Sequence, residues 1–180
     1  RTPTSSLGSR TQCGLLAGRL ALGLLIWLHG QTGDTAETLL TDPTFRSVHE
    51  LQLDLPDRGW YWQRIQTPCQ VTATPDSSTV KLRGGKVFLD SAPLSLAPAT
   101  QHQFQTGVSG NATFSIELLS WKRGGLPAAH HRMVLHKAAP LLPGTHTIRV
   151  GFRTPADMSR AQIRLVAAQG TALVHAPSLS

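Results

Sequence analysis

From residue 70 onward, apolar and polar side chains alternate in short runs. NATFSIELLSW, residues 111–121, places Ala112, Phe114, Ile116 and Leu118 at every second position, with Thr113, Ser115 and Glu117 between them. HTIRVGF, residues 146–152, repeats the pattern: His146, Ile148, Val150 and Phe152 share one side, and Thr147, Arg149 and the following Arg153 share the other. A period of two marks a half-buried strand, because successive side chains leave opposite faces of an extended chain. Further short strands are predicted at 70–74, 79–83, 86–90, 101–108, 133–136, 161–165 and 171–174, with a brief alternating piece at 93–96. Turn residues separate them: Pro75 to Ser78, Gly84-Gly85, Gly107 to Gly110, Leu141 to Gly144, Thr154 to Asp157, and Gly170. The spacing predicts an all-β domain over 37–180, an antiparallel β-sandwich of two sheets packed face to face.

The segment before it has a different character. Residues 20–28, LALGLLIWL, are apolar or small, Arg1, Arg10 and Arg19 precede them, and no acid comes before Asp34. A basic flank followed by a short apolar core is the pattern of a secretory signal. Extended back to Gly14, the run includes Arg19 and falls short of the roughly 20 residues that cross a hydrocarbon core of about 30 Å. Residues 1–36 are therefore read as a signal peptide or a membrane-anchor segment, with a hydrophobic helix at 14–28 and a cleavage point near Ala36. Either reading predicts an exported protein: periplasmic, extracellular, or anchored to the membrane.

Composition narrows the classes. The chain has 180 residues, 40% hydrophobic and 15% charged, with 16 Gly and 12 Pro. That is too apolar for a disordered chain and too rich in turn formers for a helix bundle. The formal net charge is +7. The basic residues are scattered, with no run longer than Lys122-Arg123, and Arg149, Arg153, Arg160 and Arg164 read as single solvated side chains on strands. No recognition helix or RNA-binding signature accompanies the charge, so nucleic acid is not an expected partner. Cys13 and Cys69 form neither a disulfide framework nor a metal pattern, and Cys69 reads as a small apolar residue buried in a strand. His130, His131 and His136 lack a nearby carboxylate or Cys, which predicts no metal site. With no Gly-x-Ser-x-Gly, His-Glu-x-x-His or phosphate loop, no enzyme and no cofactor are expected.

Aromatic residues carry the candidate chemistry. The chain has four Trp, one Tyr and five Phe, and three of these stand together in GWYWQR, residues 59–64. On a strand, Trp60 and Trp62 share one face and Tyr61 takes the other. The tryptophans are either core plugs or a flat platform for a sugar ring. Trp121, beside Lys122 and Arg123 at a strand end, suits an anionic sugar or an acidic protein patch, although snorkelling basic residues explain it nearly as well. The candidate ligand-binding residues are Trp60, Tyr61, Trp62, Trp121, Lys122 and Arg123.

The order of these segments resembles the jelly-roll modules of the carbohydrate-binding, galactose-binding-like kind. The resemblance rests on LLTDPTF at 39–45, GWYWQR at 59–64, APLSLAPATQHQFQTGVSG at 92–110, and the closing stretch LPGTHTIRVGF to APSL at 142–179. It is a pattern of strand order over about 37–180. It implies a jelly-roll fold and a non-catalytic module that binds a glycan or an acidic polysaccharide. Such modules often hold a structural calcium near the final strand, but ALVHAPSL has no carboxylate there. A second expectation is an accessory subunit held to membrane-protein partners through residues 14–28, and a third a pilin-like subunit completed by a partner's strand.

Overall fold

The computed structural model describes residues 38–51, 58–125 and 130–180. The expected helix at 14–28, and with it the signal or anchor segment, lies outside the described residues. The described chain is almost entirely β. Its strands are β1 (Val48–Glu50), β2 (Trp60–Thr74), β3 (Thr79–Ser91), β4 (Gln101–Gly110), β5 (Thr113–Lys122), β6 (His131–Pro140), β7 (His146–Arg153) and β8 (Met158–Leu179). A 3-10 turn, Pro75–Ser77, joins β2 to β3.

The 22-residue strand β8 organises the sheet. One of its edges pairs with nearly the whole of β3, from Thr79 opposite His175 to Asp90 opposite Arg164. Its other edge is shared. The first half pairs with β5, Lys122 to Thr113, and the second half with β4, Gly110 to Phe104. Two blocks result: β1-β2-β3-β8-β5-β6 and β2-β3-β8-β4-β7. The pairings are antiparallel except for β1, which joins β2 in parallel, so the sheet is mixed rather than wholly antiparallel.

The two predicted glycine turns are bends. The chain runs through Gly84 and Gly170 without reversing, and the two residues are paired opposite each other. Their φ values, +139° and +155°, are open to glycine and strained for other residues. A Cβ on Gly84 would lie 2.1 Å from the Pro68 carbonyl oxygen. Beside them, β2 shifts register between Gln66 and Cys69. Irregularities at one level in three adjacent strands let the sheet fold over while most of its ladder is kept. Segments read as separate short strands, such as 79–83 and 86–90, are therefore single long ones. Cys69 sits at this bend, half-exposed rather than buried.

Both blocks feed one core. Val80, Leu82, Val108 and Val174 from one join Val87, Leu89, Phe114, Ile116, Leu118, Ile163 and Leu165 from the other in a single apolar cluster. Burying each Leu, Ile, Val or Phe contributes roughly 1.5–3 kcal/mol. The alternation of β5 predicts its inward residues correctly. In β7, Phe152 is buried, with Ile148 and Val150 packed at the margin.

The segment before β1 closes one end. The Asp42 carboxylate accepts hydrogen bonds from the backbone N–H groups of Thr44, Arg46 and Ser47 at 3.3, 3.0 and 2.8 Å. That loop places Phe45 against Trp60, ring centroids 5.2 Å apart, and the Trp60 indole Nε1 donates to the Asp42 carbonyl at 2.7 Å. LLTDPTF and GWYWQR are thus two halves of one packed plug.

Candidate functional site

The same alternation that fills the core sends every second residue outward. On the β2-β3-β8-β5-β6 block, strand register aligns these outward residues in rows. One row is Gln63, Phe88, Val166 and Ser115; the next is Tyr61, Asp90, Arg164, Glu117 and Val134. A third holds Gln162, Leu119 and Arg132, and a fourth Arg160 and Trp121. At about 4.8 Å between strands, the five-residue row spans roughly 19 Å.

Polar groups on this face are paired with one another. Arg164 grips Asp90 with two hydrogen bonds, Nε to Oδ1 and Nη2 to Oδ2, both 2.7 Å. Gln63 Nε2 adds a third to Asp90 Oδ2 at 3.1 Å. The Arg164 guanidinium also lies over the Phe88 ring, 4.3 Å from its centroid. One strand further on, Arg132 donates to Glu117 Oε1. Gln162 Nε2 donates to the Ser91 carbonyl at 2.7 Å. At the far end, Arg160 stands 4.6 Å over the Trp121 ring, and the His130 ring lies 5.5 Å from it.

This side of the sheet faces away from the core, yet Asp90, Ser115, Glu117, Leu119 and Gln162 are all buried. Carboxylates are rarely buried unless paired. Burial pushes the Asp90 carboxyl above its usual range, and the bond and charge of Arg164 pull it only part of the way back. Glu117 differs in having an accessible partner: its own side chain is 4% exposed, while that of Arg132 is 59% exposed. The face therefore offers a fixed guanidinium, anchored from below, beside an indole.

The six sequence candidates divide. Trp60 is a core residue, 1% exposed, so it has no surface to offer a ligand. Tyr61 points outward as expected but is equally buried, with its hydroxyl donating to the Arg58 carbonyl at 3.0 Å. Trp62 is half-buried against the core on the opposite side from Tyr61. The pair Trp60 and Trp62 is thus a plug and not a platform. Trp121 is half-exposed on the outward face, with Lys122 and Arg123 at its rim. Lys122 forms an exposed ion pair with Asp157 at 3.0 Å, which holds the Asp157 carboxyl below its usual range. Arg164, read as a solvated side chain, is instead a nearly buried ion-pair member. The sequence reading missed Asp90, Glu117, Arg132 and Arg160. The outward phase of Glu117 in β5 was visible, but its companions emerge only from the register of β3, β6 and β8.

No protein-family model matches the chain, and no curated protein matches it in sequence. Solved structures do match its fold. A carbohydrate-binding module described as CBM4 aligns with TM-score 0.55 at 12% identity, over 78% of this chain and 98% of that one. The CBM22-1 xylan-binding domain from Paenibacillus barcinonensis aligns with TM-score 0.53 at 10% identity, over 68% of this chain and 85% of that one. The enzymatically active domain of tailspike protein 4 of bacteriophage CBA120 aligns with TM-score 0.53 at 13% identity over 71% of this chain, which spans only 20% of that one. The similar structures are mostly carbohydrate-binding modules, and the fold of this chain is the one they share.

Proposed function

We propose that this chain is a non-catalytic carbohydrate-binding module, a two-sheet jelly-roll sandwich that holds a glycan across the outward face of β2-β3-β8-β5-β6. One observation carries the reading: that face sets Trp121 and Arg160 beside paired, buried carboxylates and an exposed guanidinium on Arg132. Sugar hydroxyls both donate and accept, so a surface of paired carboxylate, guanidinium and amide groups suits them. An indole supplies the apolar contact that a pyranose ring needs. Hydrogen bonds within the protein already fix these side chains, so little side-chain order is lost on binding.

The non-catalytic part rests on the two carboxylates. Asp90 and Glu117 are each committed to a guanidinium, which suits neither for moving a proton. Export, or anchoring through residues 1–36, rests on the sequence pattern of that segment.

Affinity electrophoresis in gels containing xylan, β-glucan or galactan tests the reading. The wild type is expected to be retarded by at least one of them. Trp121→Ala, at a half-exposed position, is expected to lose about tenfold or more in affinity, the scale of a truncated interface anchor. Equal retardation of the folded variant and the wild type would remove Trp121 from the site.

A further inference from the structure

The other block, β2-β3-β8-β4-β7, has an outward face of a different kind. Strand register puts Lys81 and Arg83 on β3 at one side, and Arg149 and Arg153 on β7 at the other. The two pairs stand three strands apart and are also offset along them: Lys81 is level with Leu173 and Ser109, whereas Arg149 and Arg153 are level with Gln105 and Gln101, so the pairs mark diagonal ends of the face. All four side chains are exposed. Beside the β7 pair, Gln101, Gln103 and Gln105 occupy successive outward positions of β4. Two of these glutamines pair directly with arginines, Gln101 opposite Arg153 and Gln105 opposite Arg149, while Gly151 opposite Gln103 leaves a gap between the guanidiniums.

The outward positions of this block, on β3 those from Thr79 to Arg83, carry no Asp or Glu among the described residues, and none of the four cations takes part in an ion pair there. On the first face each buried carboxylate has its guanidinium. Here like charges gather without a counter-charge, an arrangement that raises the local positive potential and repels itself. Two of the guanidiniums are already oriented: Arg149 Nε donates to Gln105 Oε1 at 2.7 Å, and Arg153 Nε to the Ala99 carbonyl at 3.0 Å. An arginine held by one edge presents a rigid donor fork suited to a carboxylate.

We propose that this face is a second binding surface, separate from the first, and that its ligand is a carboxylate-bearing polysaccharide. The cations match the uronate charge, and the glutamine row matches the sugar hydroxyls. The His175 imidazole on this face is half-buried and tied to the Thr79 and Ser109 hydroxyls, so the face lacks the exposed stacking platform that single-stranded nucleic acid uses. Its one outward apolar residue of any size, Leu173, is half-buried, so nothing projects for insertion into a lipid surface. The inference stands whether or not the first face binds a glycan.

The test uses the full chain in affinity electrophoresis against polygalacturonate, with duplex DNA and phosphatidylserine vesicles as competitors. The wild type is expected to bind polygalacturonate, to weaken as salt rises, and to be displaced by neither competitor at equal charge. The double variant Arg149→Gln, Arg153→Gln is expected to lose tenfold or more. Should the double variant misfold, Lys81→Gln with Arg83→Gln reports on the diagonal end of the face with the same expectation. The proposal is overturned by no binding to polygalacturonate, by undiminished binding in the folded variants, or by displacement with DNA or vesicles at equal charge.

Discussion

Arg164→Ala is expected to destabilise the folded chain by about 3–5 kcal/mol, because it leaves the Asp90 carboxylate in a buried position without its counter-charge. The pair is nearly enclosed, with 12% and 6% of the two side chains exposed. The variant also removes the cation over Phe88. The loss should depend on pH. Asp90 already has a native pKa above the ordinary 3.8, burial being the larger influence and Arg164 the opposing one. Between 3.8 and the raised value the native state holds more protons than the unfolded state, so stability is fully present below 3.8 and declines as pH rises through that window. Without Arg164 the native value moves higher still, and the decline reaches further toward neutral pH. Urea unfolding at pH 4 and pH 7 checks this: the penalty is expected to be larger at pH 7, and equal penalties would show that Asp90 is not strained by burial.

Trp60→Ala is expected to cost about 3–5 kcal/mol, the range for truncating a large buried aromatic, or roughly 8–16 °C in melting temperature. The indole is enclosed, packs on Phe45, and donates to the Asp42 carbonyl. Trp60→Phe keeps most of the packing and loses only the hydrogen bond, so it should cost appreciably less. Thermal melts of both variants settle the order. A Trp60→Ala protein with the wild-type melting temperature would place the indole outside the core.

These two residues show how far a sequence reading reaches. The face shared by Trp60 and Trp62 follows from strand alternation alone. Whether it faces inward depends on what covers it, and the cover is a loop held by Asp42, 18 residues before Trp60. Tyr61 misled for the same reason, since outward phase does not guarantee exposure. The strands of the core were legible because each apolar run alternates within a few residues. Gly84 and Gly170 were read as turns because glycine signals a break, and only their pairing with each other shows a bent, unbroken ladder. Asp90, Arg164 and Glu117 lie far apart along the chain and become neighbours through β8 pairing on both edges. No local pattern announces such a row.

The most direct measurement is an amide NMR titration of the protein with xylan-, glucan- and galactan-derived oligosaccharides in turn. For at least one of them, shifts should appear at the Trp121 indole N–H, at the Gln63 and Gln162 side-chain amides, and along β5 and β8 between Glu117 and Arg160, leaving β4 and β7 unmoved. Silence with every oligosaccharide, or shifts confined to β4 and β7, would contradict a glycan site on this face.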